Sequence, residues 1–456
     1  MLSDTMLTRR GALTALAASA AALTLSACGS SKKDASGKVV TYWLWDSLQQ
    51  PAYQKCADRF KEKTGITVKI SQIGWDDYWT KLTAGFIAGT APDCFTDHIQ
   101  KFAQFVDLDV LLPLDRQEAW SGVDESAFQD GLIDLWKGED GHQYGCPKDW
   151  DTEAIFYNKD MIAEAGLADD DIASMEWNPD DGGTFEKVLA RLTVDRNGRR
   201  GDEEGFDPNH VKVYGLGIQD SGSADGQTQW SPFTASAGDW YYTDKTTWGT
   251  HYRYDDETFQ RTLDWYFGLV DKGFLNPNGA FSDATSTDIQ LGSRSIAMAV
   301  HGAWMFNTFA NLDLNVGIAP TPVGPNGTSQ SLFNGLGDSV VKASPNAKEA
   351  AQWVSFLGTQ EAQDIVASYG IVFPAITAST EKAKAVFAKT GLPTEPFTKH
   401  VDDGTTFFFP LTYFGADVKA IMTPAIEAVW ANRVPASTLT EYNDQVNLLF
   451  DTSTHD

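Results

Sequence analysis

Between residues 38 and 96 the chain alternates strand and helix signals, and this alternation constrains its fold more than any other feature. Residues 38–45 (KVVTYWLW) are β-branched and aromatic and predict an opening strand. Residues 51–63 carry apolar side chains at helical spacing (Tyr53, Cys56, Ala57, Phe60) and stop at Thr64-Gly65. Ile66 to Ile70 alternates as a second strand, Asp77 to Ala88 follows as a helix closed by Gly89-Thr90-Ala91-Pro92, and Asp93 to Thr96 makes a third strand. Strand, helix, strand, helix, strand at this spacing is the βαβ signature of a parallel sheet and places the chain in the α/β class. Ligands of such sheets bind beyond the carboxyl ends of the strands. The residues at those ends are therefore the first functional candidates: Trp45-Asp46, Gly74-Trp75-Asp76 and Asp97-His98.

At 456 residues the chain exceeds what one core supports, since cores stop growing near roughly 250–300 residues, and two lobes are expected. Residues 136–145 read as a hairpin with an acidic, glycine-containing turn. Cys146-Pro147-Lys148-Asp149-Trp150-Asp151-Thr152 then leads into an apolar strand, 154–157, and a helix from Asn158. The remainder alternates helices (184–193, 256–272, 346–357, 359–368, 415–431) with short strands (213–218, 296–300, 338–342), without an internal repeat. Asp and Glu outnumber Lys and Arg by 62 to 35, a net charge of −27. That charge repels phosphate backbones, so nucleic acid is not an expected partner.

The amino terminus sets the compartment. Arg9 and Arg10 precede an apolar run, Gly11 to Leu25, too short to span a bilayer comfortably. It ends in Leu25-Ser26-Ala27-Cys28, which resembles the bacterial lipobox. The resemblance implies a signal peptide over residues 1–27, acylation of Cys28 and a polar tether over 28–38 that holds the protein to the outer face of the cell membrane. The paired arginines leave export by the general or the twin-arginine route open. Cys56, Cys94 and Cys146 remain, an odd number without Cys-x-x-Cys spacing, so neither a complete disulfide set nor a zinc site is expected.

No Gly-x-Ser-x-Gly elbow, His-Glu-x-x-His or Walker loop is present. Paired carboxylates prove nothing by count in a chain with 62 acids. Binding has a stronger signal. A sugar ring packs its C–H face on an aromatic ring and presents a rim of hydroxyls that need planar polar partners. Trp beside Asp or Gln recurs at Trp45-Asp46, Trp75-Asp76, Asp149-Trp150-Asp151, Gln229-Trp230 and Asp239-Trp240. Each pair also has a plain structural reading as core. In the loop 195–208, Asp195, Asn197, Asp202 and Asp207 are hard oxygen donors, and either a solvated loop or a structural calcium site fits them; no other cofactor is expected.

The chain resembles the extracellular solute-binding lipoproteins of ABC sugar importers, the group that includes the maltose-binding proteins. The resemblance rests on landmarks in order: Val-Thr-Tyr-Trp-Leu-Trp-Asp (40–46), Gly85 to Asp93, Ile155-Phe156-Tyr157-Asn158-Lys159-Asp160, Ala297-Met298, Gly302-Ala303-Trp304, Ala319-Pro320-Thr321-Pro322 with Gly324-Pro325, and Ala350 to Leu357. It implies two α/β lobes with a carbohydrate clamped between them, three crossovers (Pro147–Asp151, Val300–Gly302, Asn334–Asp338), and delivery by a monomer to permease subunits of the transporter. The implied lobes are 38–147 plus 302–334 and 148–301 plus 335–456. The implied ligand contacts are Trp45, Asp46, Trp75, Asp97, His98, Lys148, Asp151, Trp230, Asp239, Trp240, Trp304, Asn334 and Tyr413. Among them Trp230 stacks on a ring and Asp151 accepts hydroxyls. Asp97 stands where maltose binders carry a stacking Trp, a departure that argues against a maltodextrin. Two other readings stay open on the residues alone, a lipid-anchored glycoside hydrolase or lyase and a surface adhesion or scaffold protein.

Overall fold

Alternation and end signals translate directly into the first elements. In the computed structural model, which describes residues 38–282 and 284–452, β1 (Val39–Leu44) buries Val40, Tyr42 and Leu44 on one face. Helix α1 (Gln50–Thr64) starts with Pro51 in its first turn and buries Tyr53, Cys56, Ala57 and Phe60. It ends at Gly65, whose left-handed φ of 76° lets its N–H reach the Lys61 carbonyl. β2 (Thr67–Gln72), α2 (Trp75–Ala88) and β3 (Cys94–His98) follow, and both β2 and β3 pair parallel to β1. Residues 1–37, and with them the expected signal peptide, the acylated Cys28 and all of the tether but Lys38, lie outside the described residues.

Two sheets organise the rest. The first runs β11-β4-β10-β3-β1-β2, with β4 as Gly145–Asp151, β10 as Ser331–Val340 and β11 as Phe373–Pro374; β12 (Thr406–Phe408) joins β10. Here β10 pairs antiparallel with both β3 and β4. The second runs β6-β7-β8-β5-β9, with β5 as Glu153–Asn158, β6 as Val194–Asp195, β7 as Val211–Leu216, β8 as Ile296–Gly302 and β9 as Val316–Ala319. Both faces of the second sheet are covered: β5 sends Ala154 and Phe156 into one core and Ile155 and Tyr157 into the other.

The chain therefore passes between the sheets at Thr152, between Ala319 and Ser331, and after Phe408. Two expected crossovers are corrected. After Gly302 the chain returns to the second sheet as β9, so 302–319 follows the second sheet, while its Ala303, Phe306 and Phe309 pack into the larger core that lies against both sheets. Residues 335–397, expected in the second lobe, contribute β10, β11 and the core side chains Trp353, Phe373 and Phe387 to the first. Only the last helices, Gly415–Ala431 and Leu439–Asp451, return to the second core. Cys56, Cys94 and Cys146 are buried and unpaired; burial pushes the Cys56 thiol up to about 12, which keeps it inert. Among the described residues no helix is long and apolar enough to cross a membrane.

Candidate functional site

The candidate site lies where the carboxyl ends of β1 and β3 face the crossing strands. The turn after β1 carries Trp45 and Asp46; Trp75 opens α2; His98 ends β3 and caps α3 (Ile99–Asp107) by accepting the Gln100 N–H at 3.2 Å. These side chains form one aromatic wall. The Trp45 ring lies 5.2 Å from Trp75, 5.1 Å from Tyr78 and 6.3 Å from His98, mostly edge to face. Trp75 remains 45% exposed. From the second sheet Trp304 leans over Gly302, and a Cβ at that glycine would overlap the indole, so the close approach requires glycine there.

The floor is polar. On β4, Asp149 and Asp151 stand two residues apart and share a face, and their β10 partners are Leu336 and Asn334. All four line a cavity of about 520 Å³ together with Trp45, Asp46, Gln49, Trp75, His98 and Trp304. Asn334 donates to Asp151 Oδ2 at 3.3 Å. Asp149 Oδ2, Asp151 Oδ1, Asn334 Oδ1 and Gln49 Oε1 have no hydrogen-bond partner within the protein. Burial, only partly offset by Lys148, pushes the Asp149 carboxyl up to about 7, and burial with its neighbours Asp149 and Glu153 raises that of Asp151. Burial, reinforced by Lys419 and Lys101, lowers His98 to about 3, so its ring is neutral at physiological pH.

A second, more polar cavity of about 330 Å³ shares Trp75, Gln227 and Trp304 with the first and adds Gln100, Asp220, Asp225 and Lys419. The two lobes are tied here. Asp225 Oδ2 accepts from Gln100 Nε2 and pairs with Lys419 Nζ, both at 2.9 Å, and Lys419 donates to Gln100 Oε1 at 2.7 Å.

Of the residues expected from the sequence, the structure brings Trp45, Asp46, Trp75, His98, Asp151, Trp304 and Asn334 into this cleft. It places the others elsewhere. Asp97 points to the opposite face of β3 from His98, fully buried, accepting from the His98 N–H at 2.8 Å and Ser339 Oγ at 3.4 Å. Lys148 turns behind β4, donating to Thr96 Oγ1 and lying over the Tyr53 ring. Trp230 is core rather than a stacking platform: its ring is fully buried against Trp240, Tyr242 and Phe259, and its N–H donates to the Ser221 carbonyl. Trp240 stacks on Phe259 at 4.4 Å, Asp239 is exposed outside the cavity linings, and Tyr413 packs on Trp248 and donates to Glu139. The 195–208 loop is held by its own hydrogen bonds. Asp195 accepts the backbone N–H groups of Asn197, Arg199 and Asp207, while Asp207 holds Asn209 and His210 and Asp202 lies by Arg191. Among the described residues no group of three or more His, Cys, Asp or Glu is set to hold a metal. Gln49, Gln227 and Thr228 line the cleft without any sequence signal, whereas Asp149 stood in the Asp149-Trp150-Asp151 run and was not among the expected contacts.

A family model described as bacterial extracellular solute-binding protein matches residues 55–394, and the chain belongs to that family. Over 125 residues it is 35% identical to a putative ABC transporter periplasmic-binding protein of Escherichia coli, covering 26% of this chain and 28% of that one. Over 349 residues it is 24% identical to the maltodextrin-binding protein of Bacillus subtilis, covering 75% of each. An ABC substrate-binding protein from Listeria monocytogenes, solved with cycloalternan, superposes with a TM-score of 0.75 at 18% identity over 91% of this chain and 100% of that one. The family is one of binding proteins, which sets aside the hydrolase, lyase and adhesion readings.

Proposed function

We propose that the protein captures an extracellular oligosaccharide in the cleft and delivers it to the permease of an ABC importer. The observation that carries this reading is one cavity lined both by partly exposed indoles (Trp45, Trp75, Trp304) and by four residues that each hold a buried, partnerless acceptor oxygen. A saccharide supplies what both walls lack: C–H faces for the rings and hydroxyl donors for the oxygens. The relatives point the same way, since one is named for maltodextrin and another, also from Bacillus subtilis, for galactooligosaccharide. Closure of the lobes about the three chain crossings would present the loaded form to the permease. We further propose that the protein acts as a monomer and that lipid on Cys28 holds it to the outer face of the membrane.

Thermal melting against mono- and oligosaccharides tests the capture. A ligand at 100 times its dissociation constant stabilises by about 2.7 kcal/mol and moves the transition upward. A panel that leaves the transition unmoved with every saccharide refutes the reading. For the anchor, Cys28→Ser should release the protein from cells into the medium; retention at the membrane contradicts it.

A further inference from the structure

We propose that the captured saccharide carries a protonated amine, held between Asp149 and Asp151. The inference rests on the carbohydrate reading above and narrows it to basic sugars.

The lining of the larger cavity supports acceptance and little donation. Gln49, Asp149, Asp151 and Asn334 line the cavity, are each between 2% and 8% exposed, and each hold one buried oxygen without a protein partner. All four orphaned atoms are acceptors. The Asn334 amide nitrogen is already spent on Asp151 Oδ2, and the Gln49 side chain on Asp149. Donors must come from a ligand or from protons kept on the carboxyls themselves.

Hydroxyls alone would satisfy those lone pairs but leave the carboxyls either protonated or charged without a partner. Asp46, Asp149 and Asp151 line the cavity, and among the described residues that line it none is Lys or Arg. The groups packed around the two carboxylates do not neutralise them. On β4, Lys148 turns away to Thr96 and shares its field between Asp149 and Asp338. On β10 the neighbours are Asn334, Leu336 and Asp338; on β5, Glu153 adds another acid, one oxygen on the Thr228 N–H and the other unpaired. Lys419, in the adjoining cavity, is paired with Asp225. Buried carboxylates without a counter-charge are costly. An ammonium supplies three donors and the missing charge in one group, and the surrounding indoles favour a cation over their faces. The upward displacement of both carboxyls, by burial and then by neighbouring acids (Asp338 and Asp46 for Asp149, Asp149 and Glu153 for Asp151), agrees with a site of surplus negative potential.

The test is titration calorimetry with matched pairs differing only in amine for hydroxyl: glucosamine and glucose, galactosamine and galactose, and the β-1,4-linked disaccharides of glucosamine and of glucose. The proposal expects the amine member of any pair that binds to do so at least about 30-fold more tightly. In an Asp149→Asn/Asp151→Asn variant whose melting transition remains cooperative, that ratio should collapse to within about 3-fold. Equal or tighter binding of the hydroxyl members overturns the amine inference and leaves the carbohydrate reading standing. Absence of binding by every member of every pair, and by the neutral oligosaccharide panel, overturns both.

Discussion

Removing the Trp75 indole separates a ligand platform from a core residue. A tryptophan side chain offers about 150–250 Å². With 45% of Trp75 exposed, roughly 70–110 Å² is open to a ligand, and at about 25 cal/mol per Å² its full coverage would contribute about 2–3 kcal/mol. A sugar covers one face, so about half of that, 1–1.5 kcal/mol, is the expected loss, or close to tenfold in dissociation constant. The cost to the free protein is small by comparison, because the ring is 45% exposed and its aromatic neighbours Trp45, Trp79 and His98 meet it edge-on. Calorimetry of Trp75→Ala with the oligosaccharide that binds the parent, alongside its melting curve, reads both quantities. Unchanged affinity, or a fall in stability larger than the fall in affinity, refutes the assignment.

Trp230→Ala should behave oppositely, losing about 3–5 kcal/mol of stability because the ring is fully buried against Trp240, Tyr242 and Phe259; a melting temperature within about one degree of the parent contradicts this. Gly302→Ala should displace the Trp304 indole and weaken saccharide binding severalfold, seen by calorimetry as a loss matched by Trp304→Ala; undiminished affinity would show that the indole is not held by this contact. Stability of the ligand-free protein should fall as pH rises from 6.5 to 8.5. Burial raises Asp149 to about 7 and Glu153 to about 8, so the folded state holds protons that the unfolded chain releases near pH 4. That stabilisation is complete at low pH and is lost as pH climbs through the folded values, by on the order of 1–2 kcal/mol in this window. The buried His98, His301 and His400, lowered to about 3, 4 and 4 by burial, give the opposite slope only below about 6.5. Glu153→Gln should flatten the melting profile, and a profile rising with pH in the parent contradicts the reasoning.

Local patterning made the opening part of the first lobe legible. The strands and helices from Val39 to His98 fall within a few residues of their expected limits, because alternation, helical spacing and the glycine stops at Gly65 and Gly89 are contained in short windows. Three failures have a common cause in information the local window does not hold. β10 begins at Ser331 rather than near residue 338, since its glycines and polar residues form a strand only by pairing with β3 and β4, and the misplaced crossovers follow from that. β3 extends two residues past its expected end, and strand parity then turns His98 into the cleft and Asp97 out of it. The aromatic pairs were visible as pairs, yet whether an indole faces a cleft or a core depends on partners as distant as Phe259 for Trp230. Parity along β4 did carry a usable signal for Asp149, two residues before Asp151.

The most direct test is titration calorimetry of the protein against a panel of oligosaccharides of defined linkage, with the sugar recovered afterwards and identified by mass. A saturable one-to-one isotherm with at least one of them, the sugar returning unaltered, is the predicted result. No heat with any saccharide, or recovery of a shortened or modified product, would contradict capture for transport as the function of this cleft.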